Sequence, residues 1–155
     1  MADALADIFL AQFGLLDVEV WVELFAGGAG AGLHLLDRGV VDEVWLTEKN
    51  RELAAFWRTV VDNGVELAGR VRACQPDMST WHTAREVVAS SEAGAAITDL
   101  ELAFAALIIN RCSPNLFGGS LAVYGREEAD PIVGGRRSWP PLVGSVLLFD
   151  VLLHD

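Results

Sequence analysis

The chain has 155 residues, is 52 % hydrophobic with a mean hydropathy of +0.35, and carries a formal net charge of −11. That is enough apolar material for one domain with a real core and too much for a disordered tail. The acidity argues against a protein that grips nucleic acid over its whole surface. No apolar run reaches the roughly 18 residues of a bilayer span, and the N-terminus lacks a basic leader, so a soluble cytoplasmic protein is expected. The two cysteines, Cys74 and Cys112, form no Cys-x-x-Cys pair. They are expected to be reduced and buried, with no metal site. The charge is uneven: residues 1–66 hold twelve acids and four bases, whereas residues 103–141 hold four arginines and three acids.

Residues 1–17 place Leu5, Ile8, Phe9 and Ala11 in a short amphipathic pattern that Gly14 would end. Val18–Val22 is β-branched and aromatic and predicts a strand. It runs into Glu23-Leu24-Phe25-Ala26-Gly27-Gly28-Ala29-Gly30-Ala31-Gly32, and Leu33–Gly39 then predicts a short helix stopped by glycine. A strand that turns through glycines into a helix leaves backbone N–H groups free at a positive helix end, where a ligand can lie against the main chain. At Gly28 a β-carbon is expected to crowd such a ligand or to force an unfavourable φ.

A second strand, Val44-Trp45-Leu46-Thr47, ends at Glu48. This carboxylate follows the glycines by about 20 residues, the spacing that delivers an acid to ribose hydroxyls. Taken alone, the same residues are a tight turn followed by a surface glutamate. Strand, helix, strand and acid in register point instead to a nucleoside-type cofactor site.

Asn50 is expected to cap the next helix. On it Leu53, Phe56, Trp57, Val60 and Val61 share one buried face, and Asn63-Gly64 would end it. From about Leu67 the pattern turns helical without further strands. Ser79 or Thr80 would cap a helix over 81–88, 90–96 is a small-residue link, and Thr98-Asp99-Leu100-Glu101 is a capping box. The helix it opens places Leu100, Ala103, Phe104, Leu107 and Ile108 on one face. Residues 110–119 then read as a loop carrying Asn110, Arg111, Ser113 and Phe117. An amide, a guanidinium and an aromatic together suit a flipped base or a phosphate. On the residues alone the simpler account is a helix end whose arginine complements the dipole.

In order along the chain, Trp21-Val22-Glu23-Leu24-Phe25-Ala26-Gly27-Gly28, Leu46-Thr47-Glu48-Lys49-Asn50 with Leu53 and Trp57, and Leu107-Ile108-Ile109-Asn110-Arg111 resemble the Dam-like (D12 class) adenine-specific DNA methyltransferases. The likeness covers residues 20–137. It implies an α/β fold: a partial Rossmann-like sheet of the S-adenosylmethionine-dependent methyltransferase type, with a helical insertion. Residues 1–66 would form the cofactor-binding part, 67–137 the insertion and DNA-facing region, and 138–155 an apolar tail. Phe25, Ala26, Gly27, Gly28, Ala29 and Gly30 would border the methionine moiety of S-adenosyl-L-methionine, and Glu48 would hold its ribose, with Glu23 and Lys49 beside them. Double-stranded DNA would meet Asn110, Arg111, Arg126, Arg136 and Arg137, weakly in this chain.

Three departures from the family pattern bear on activity. Residues 1–19 contain no lysine where the family carries a Lys-Trp-x-Gly-Gly-Lys-like element. The Asp-Pro-Pro-Tyr motif that holds the flipped adenine is missing. Asp130-Pro131-Ile132-Val133 falls where relatives have a Gly-Pro-Ile-Gly-Gly-like loop, and Ser138-Trp139-Pro140-Pro141-Leu142 has neither the acid nor the aromatic. Finally, residues 146–153 read as a buried strand, with either a truncated motif starting at Asp155 or an unrelated tail from about Trp139. The expectation is a truncated or degenerate methyltransferase domain with no catalytic position to name. Two alternatives stand beside it. One is a nicotinamide-dependent oxidoreductase, whose Gly-x-Gly-x-x-Gly pattern this turn fits poorly. The other is a non-catalytic cofactor-binding subunit completed by a second chain.

Overall fold

The computed structural model describes residues 2–13 and 18–112. The elements are α1 (Ala2–Phe13), β1 (Val20–Glu23), α2 (Gly30–Asp37), β2 (Glu43–Leu46), α3 (Arg51–Ala73), α4 (Met78–Glu92) and α5 (Asp99–Cys112). They divide into two compact units, one ending at Ala54 and the other starting at Ala55.

The first unit is a βαβ turn with α1 added. β1 and β2 are parallel, with Val20 opposite Glu43, Trp21 opposite Val44, Val22 opposite Trp45 and Glu23 opposite Leu46. Strand residues alternate between faces, and Trp21, Glu23 and Val44 are turned toward α2. There a β-carbon on Gly32 would lie 2.7 Å from Val44 Cγ1 and 3.1 Å from Trp21 Cδ1. Helix and sheet thus approach at the one place where a side chain is missing. Leu35 and Val41 are buried at the centre of this packing, and Phe9 of α1 meets Trp21 edge-on at 5.3 Å between ring centroids. Ile8, expected among the apolar positions of α1, is exposed.

The expected helix over 33–39 starts three residues earlier, so Gly30 and Gly32 belong to its first turn and not to the loop before it. Its expected glycine stop is present in full. Gly39 N–H donates to Leu36 O and Val40 N–H to Leu35 O, with Gly39 at φ +61°. This is a Schellman closure, in which the left-handed residue has no β-carbon to strain.

α3 opens as expected, with Leu53 N–H donating to Asn50 Oδ1 at 2.8 Å. It does not end at Asn63-Gly64. Asn63 has non-helical dihedrals, φ −146° and ψ 33°, and the helix kinks and resumes to Ala73. Resumption brings Leu67, Ala68 and Val71 into the core of the second unit, which is what a glycine break alone could not foretell. The buried stripe is Trp57, Val60, Gly64, Leu67 and Val71, at helical spacing. Val61, one position past Val60, faces outward and is 40 % exposed, contrary to its expected place in the core.

The second unit continues with α4 and α5, which pack side by side. Asp77, rather than Ser79 or Thr80, caps α4: its Oδ1 accepts from Thr80 N–H at 2.7 Å and from Thr80 Oγ1 at 2.8 Å. Pro76 just ahead cannot continue a helix backwards, so the cap falls on the first acid after it. α4 reaches Glu92 and closes with a second Schellman pair, Gly94 N–H to Ser91 O and Ala95 N–H to Ser90 O. The expected capping box forms at α5, with Glu101 N–H donating to Thr98 Oγ1 and Thr98 N–H to Glu101 Oε2, each at 3.2 Å. Arg58 bonds Asp99 through Nε at 2.6 Å and Nη2 at 3.0 Å, fixing the start of α5 against α3. Cys74, expected buried, is half-buried; loss of water pushes its thiol up, with Asp77 adding to the effect. The Cys112 side chain lies outside the described residues, as do residues 113–155.

Candidate functional site

The site of the first unit is the crossing from β1 into α2 together with the end of β2. Parallel pairing carries the backbone beyond the strands: Thr47 N–H donates to Glu23 O and Ala26 N–H to Thr47 O, both at 2.9 Å. The Thr47 hydroxyl adds a bond to Leu24 O at 2.8 Å. These contacts hold the turn 24–29 against residues 47–48, and two carboxylates complete the hold.

Glu48 is where the second strand was expected to deliver an acid, and it reaches the glycine turn. Its Oε2 accepts from Gly27 N–H at 2.9 Å and its Oε1 from Asn50 N–H at 2.7 Å. Both bonds favour the ionised form. The N–H of Asn50 first, then that of Gly27, hold this carboxyl below its ordinary value, against a smaller upward push from burial. Glu23, at the end of β1, accepts through Oε1 from Gly32 N–H. Gly32 is the third residue of α2 after its cap, so the positive end of this helix already holds an internal carboxylate. The bonding also explains the missing cap, for Ala29 contributes no side-chain bond and sits at φ +48°.

The turn's apolar residues point away from the core. Phe25 is 86 % exposed and Leu24 67 %, so the aromatic ring stands open beside the glycines. On the sheet face away from α2, Val22 and Trp45, neighbours across the strands, are exposed as well. Gly28 has no heavy atom within 4 Å of an added β-carbon and no positive φ. The strain expected at Gly28 falls instead on Gly27, at φ +50°. Gly27, Gly28 and Gly30 therefore differ in kind: the first is needed by the backbone, and the other two leave open space.

The structure thus brings together Glu23, Phe25, Ala26, Gly27, Gly28, Ala29, Gly30 and Glu48, with Lys49 exposed next to Glu48. Thr47, Asn50 and Gly32 also act here and were not among the expected site residues. A hydroxyl before the acid and a second amide after it are visible in Thr47-Glu48-Lys49-Asn50, but nothing in that spacing says where they bond. Gly32 falls outside the nucleotide-type glycine spacing, and its role is packing.

Of the expected DNA-facing residues, Asn110 and the backbone of Arg111 are described, and they belong to the second unit. Asn110 is half-buried in the last turn of α5, which extends through Arg111 to Cys112 where a loop was expected. Apolar residues Leu107, Ile108 and Ile109, all buried, carry the helix past the predicted break. The Arg111 side chain and Arg126, Arg136 and Arg137 lie outside the described residues. Among the described residues no group of three His, Cys, Asp or Glu side chains could hold a metal ion. No helix there is long and apolar enough to cross a membrane.

Chemically, the turn offers carboxyl oxygens as acceptors at both ends and an exposed ring between them. It suits a ligand that donates hydrogen bonds, is flat in part, and is neutral or positive where it meets Glu23. Comparisons with family models, with curated proteins and with solved structures gave no match.

Proposed function

We propose that the first unit is the cofactor half of an S-adenosylmethionine-dependent methyltransferase of the Dam-like, adenine-N6-specific class, and that these 155 residues, which lack an Asp-Pro-Pro-Tyr motif, do not by themselves transfer methyl groups. One observation carries the reading: the Glu48 carboxylate closes directly on Gly27 N–H of the turn. The ribose diol would bond the lone pairs of Glu48 not used by Gly27 and Asn50, and the adenine or the methionine arm would lie along the exposed Phe25.

The second carboxylate bears on which nucleoside cofactor fits. A dinucleotide places its pyrophosphate on the N–H groups of the helix that follows the first strand. Here Glu23 occupies Gly32 N–H, and two negative groups at that point repel. A sulfonium cofactor with an ammonium group meets the same carboxylate favourably. This supports S-adenosylmethionine over a nicotinamide dinucleotide. The reading of a non-catalytic subunit completed by a second chain draws support from the sheet, which has two strands among the described residues and leaves Val22 and Trp45 exposed.

Isothermal titration with S-adenosylmethionine, its demethylated product and NADH tests the reading. The expected result is weak binding of the first two and none of the third. Glu48→Ala should cost ~1.5–3 kcal/mol of that binding, the worth of a hydrogen bond to a charged group. Equal affinity of the wild type and the variant would remove Glu48 from the site, and tight NADH binding would overturn the class. Duplex DNA should bind weakly with a steep salt dependence, since the arginines between 111 and 137 supply phosphate contacts against an overall charge of −11. Incorporation of labelled methyl groups into adenine by the 155-residue chain would contradict the proposed lack of activity.

A further inference from the structure

The second unit holds a cleft of its own, far in sequence from the glycine turn and not used by the proposal above. It has a volume of about 360 Å³ and is lined from α3, α4 and α5. That is within the range of roughly 300–1,000 Å³ in which small-molecule sites fall. Its apolar lining comes from Val87 and Phe104 with neighbouring alanines, and its polar lining residues are Ser79, Thr80, Thr83, Arg70 and Glu101.

The charges in this cleft decide what it can take. Among the described residues Arg70 pairs loosely with Glu66, at 3.6 Å one turn back, and more than a third of its side chain is exposed. A pair of that kind is worth little and yields readily to a better partner. Glu101 uses Oε2 for Thr98, accepting from its hydroxyl at 2.7 Å and from its N–H. Its other oxygen points to no described donor. Those Thr98 bonds, and more weakly the charge of Arg70, hold the Glu101 carboxyl below its ordinary value, so it is ionised at neutral pH. Arg70 and Glu101 therefore stand as one positive and one negative group on the same cleft. A free anion such as phosphate would meet Glu101 as well as Arg70, and a free amine the reverse. Only a molecule carrying both charges satisfies both, and the strip of Phe104 and Val87 leaves room for an apolar substituent.

We infer that the cleft between α3, α4 and α5 binds a small zwitterion of the α-amino-acid type, with its carboxylate on Arg70, its ammonium group on Glu101 and an apolar side chain against Phe104 and Val87. The hydroxyls of Ser79 and Thr83 on α4 supply further bonds to the carboxylate. This site is independent of S-adenosylmethionine binding in the first unit.

Ligand-observed NMR on the full chain tests it, with phenylalanine, leucine, phenethylamine, 3-phenylpropionate and inorganic phosphate as probes at millimolar concentration. Saturable binding of the two amino acids is expected, with at least a tenfold loss for the amine and for the acid. Arg70→Met and Glu101→Gln should each lower amino-acid affinity tenfold or more. Glutamine at the third position still closes a capping box, so Glu101→Gln keeps α5 intact, as circular dichroism will show. Glu48→Ala should leave the amino-acid affinity unchanged, which separates this cleft from the cofactor turn. Absence of saturation by either amino acid overturns the inference. So does phosphate binding that competes with phenylalanine and disappears in Arg70→Met, or equal affinity in folded Glu101→Gln and wild type.

Discussion

At the scale of single residues, two small side chains in the glycine stretch carry opposite loads. Gly32 lies where helix and strands nearly touch, and an added β-carbon would sit 2.7 Å from Val44 Cγ1 and 3.2 Å from Glu23 Oε1. Gly32→Ala should destabilise the first unit by about 1–3 kcal/mol, the usual cost of overpacking a tight contact. Ala29 has the reverse fault, a β-carbon on a backbone at φ +48°. Ala29→Gly should stabilise by about 1 kcal/mol, since the left-handed region costs an L-residue roughly 1–2 kcal/mol. Urea denaturation of the two variants checks both signs at once. A destabilised Ala29→Gly would show that the turn does not hold this conformation in solution. The sequence made the glycine stretch visible but not this division of labour. Glycine-rich spacing marks a close approach without saying whether ligand, backbone or a neighbouring strand is the party that comes close. Only the register of Trp21 with Val44 fixes that for Gly32.

Elements were legible where their ends carry chemistry of their own. Asn50, Thr98 with Glu101, and Gly39 did at their helix ends what their residue type dictates, because capping bonds are local and need no tertiary partner. Helix ends set by packing were not legible. α3 runs through Asn63-Gly64 because Leu67, Ala68 and Val71 find a core beyond it, and α5 runs through Asn110 because the three residues ahead of it are buried. The capping box offers a direct measure of how much a local bond contributes. Thr98→Ala removes the hydroxyl that accepts Glu101 N–H and should cost about 1 kcal/mol of stability in the second unit. Thr98→Ser should restore most of it. Thermal unfolding monitored by circular dichroism distinguishes the two, and equal melting of Ala and Ser variants would deny the cap its role.

For the molecule as a whole, acid is the informative perturbation. With 22 acids against 11 bases the chain is far from neutrality, and part of that charge is built into the fold. Glu48 and Glu101 have carboxyls held below their ordinary value by hydrogen bonds made only in the folded state. A group whose folded value is depressed adds stability that is complete above the unfolded value, near 4.5, and is lost as pH falls through the folded one. Stability should therefore decline on acidification below about pH 4.5, and Glu48→Gln with Glu101→Gln should flatten that decline. Melting temperatures of wild type and double variant from pH 6 to pH 3 decide it. Parallel curves would show that these two carboxylates do not sense folding. The composition announced an acidic chain, yet which acids are bonded could not be read from it, since Glu48 and Glu52 look alike until the turn closes on one of them.

The bond from Gly27 to Glu48 also makes the turn its own reporter. A backbone amide held by a carboxylate exchanges its proton with solvent only when that bond opens. Gly27 and Asn50 should consequently exchange slowly in the empty protein, although both lie in loop, while Gly28 next door exchanges fast. A ligand that takes over the carboxylate's lone pairs without displacing the amides would leave this pattern in place. One that pulls Glu48 away would release both amides together. The same two signals, followed by deuterium labelling, would thus tell whether a bound molecule is received by a preformed turn or has to pry it apart.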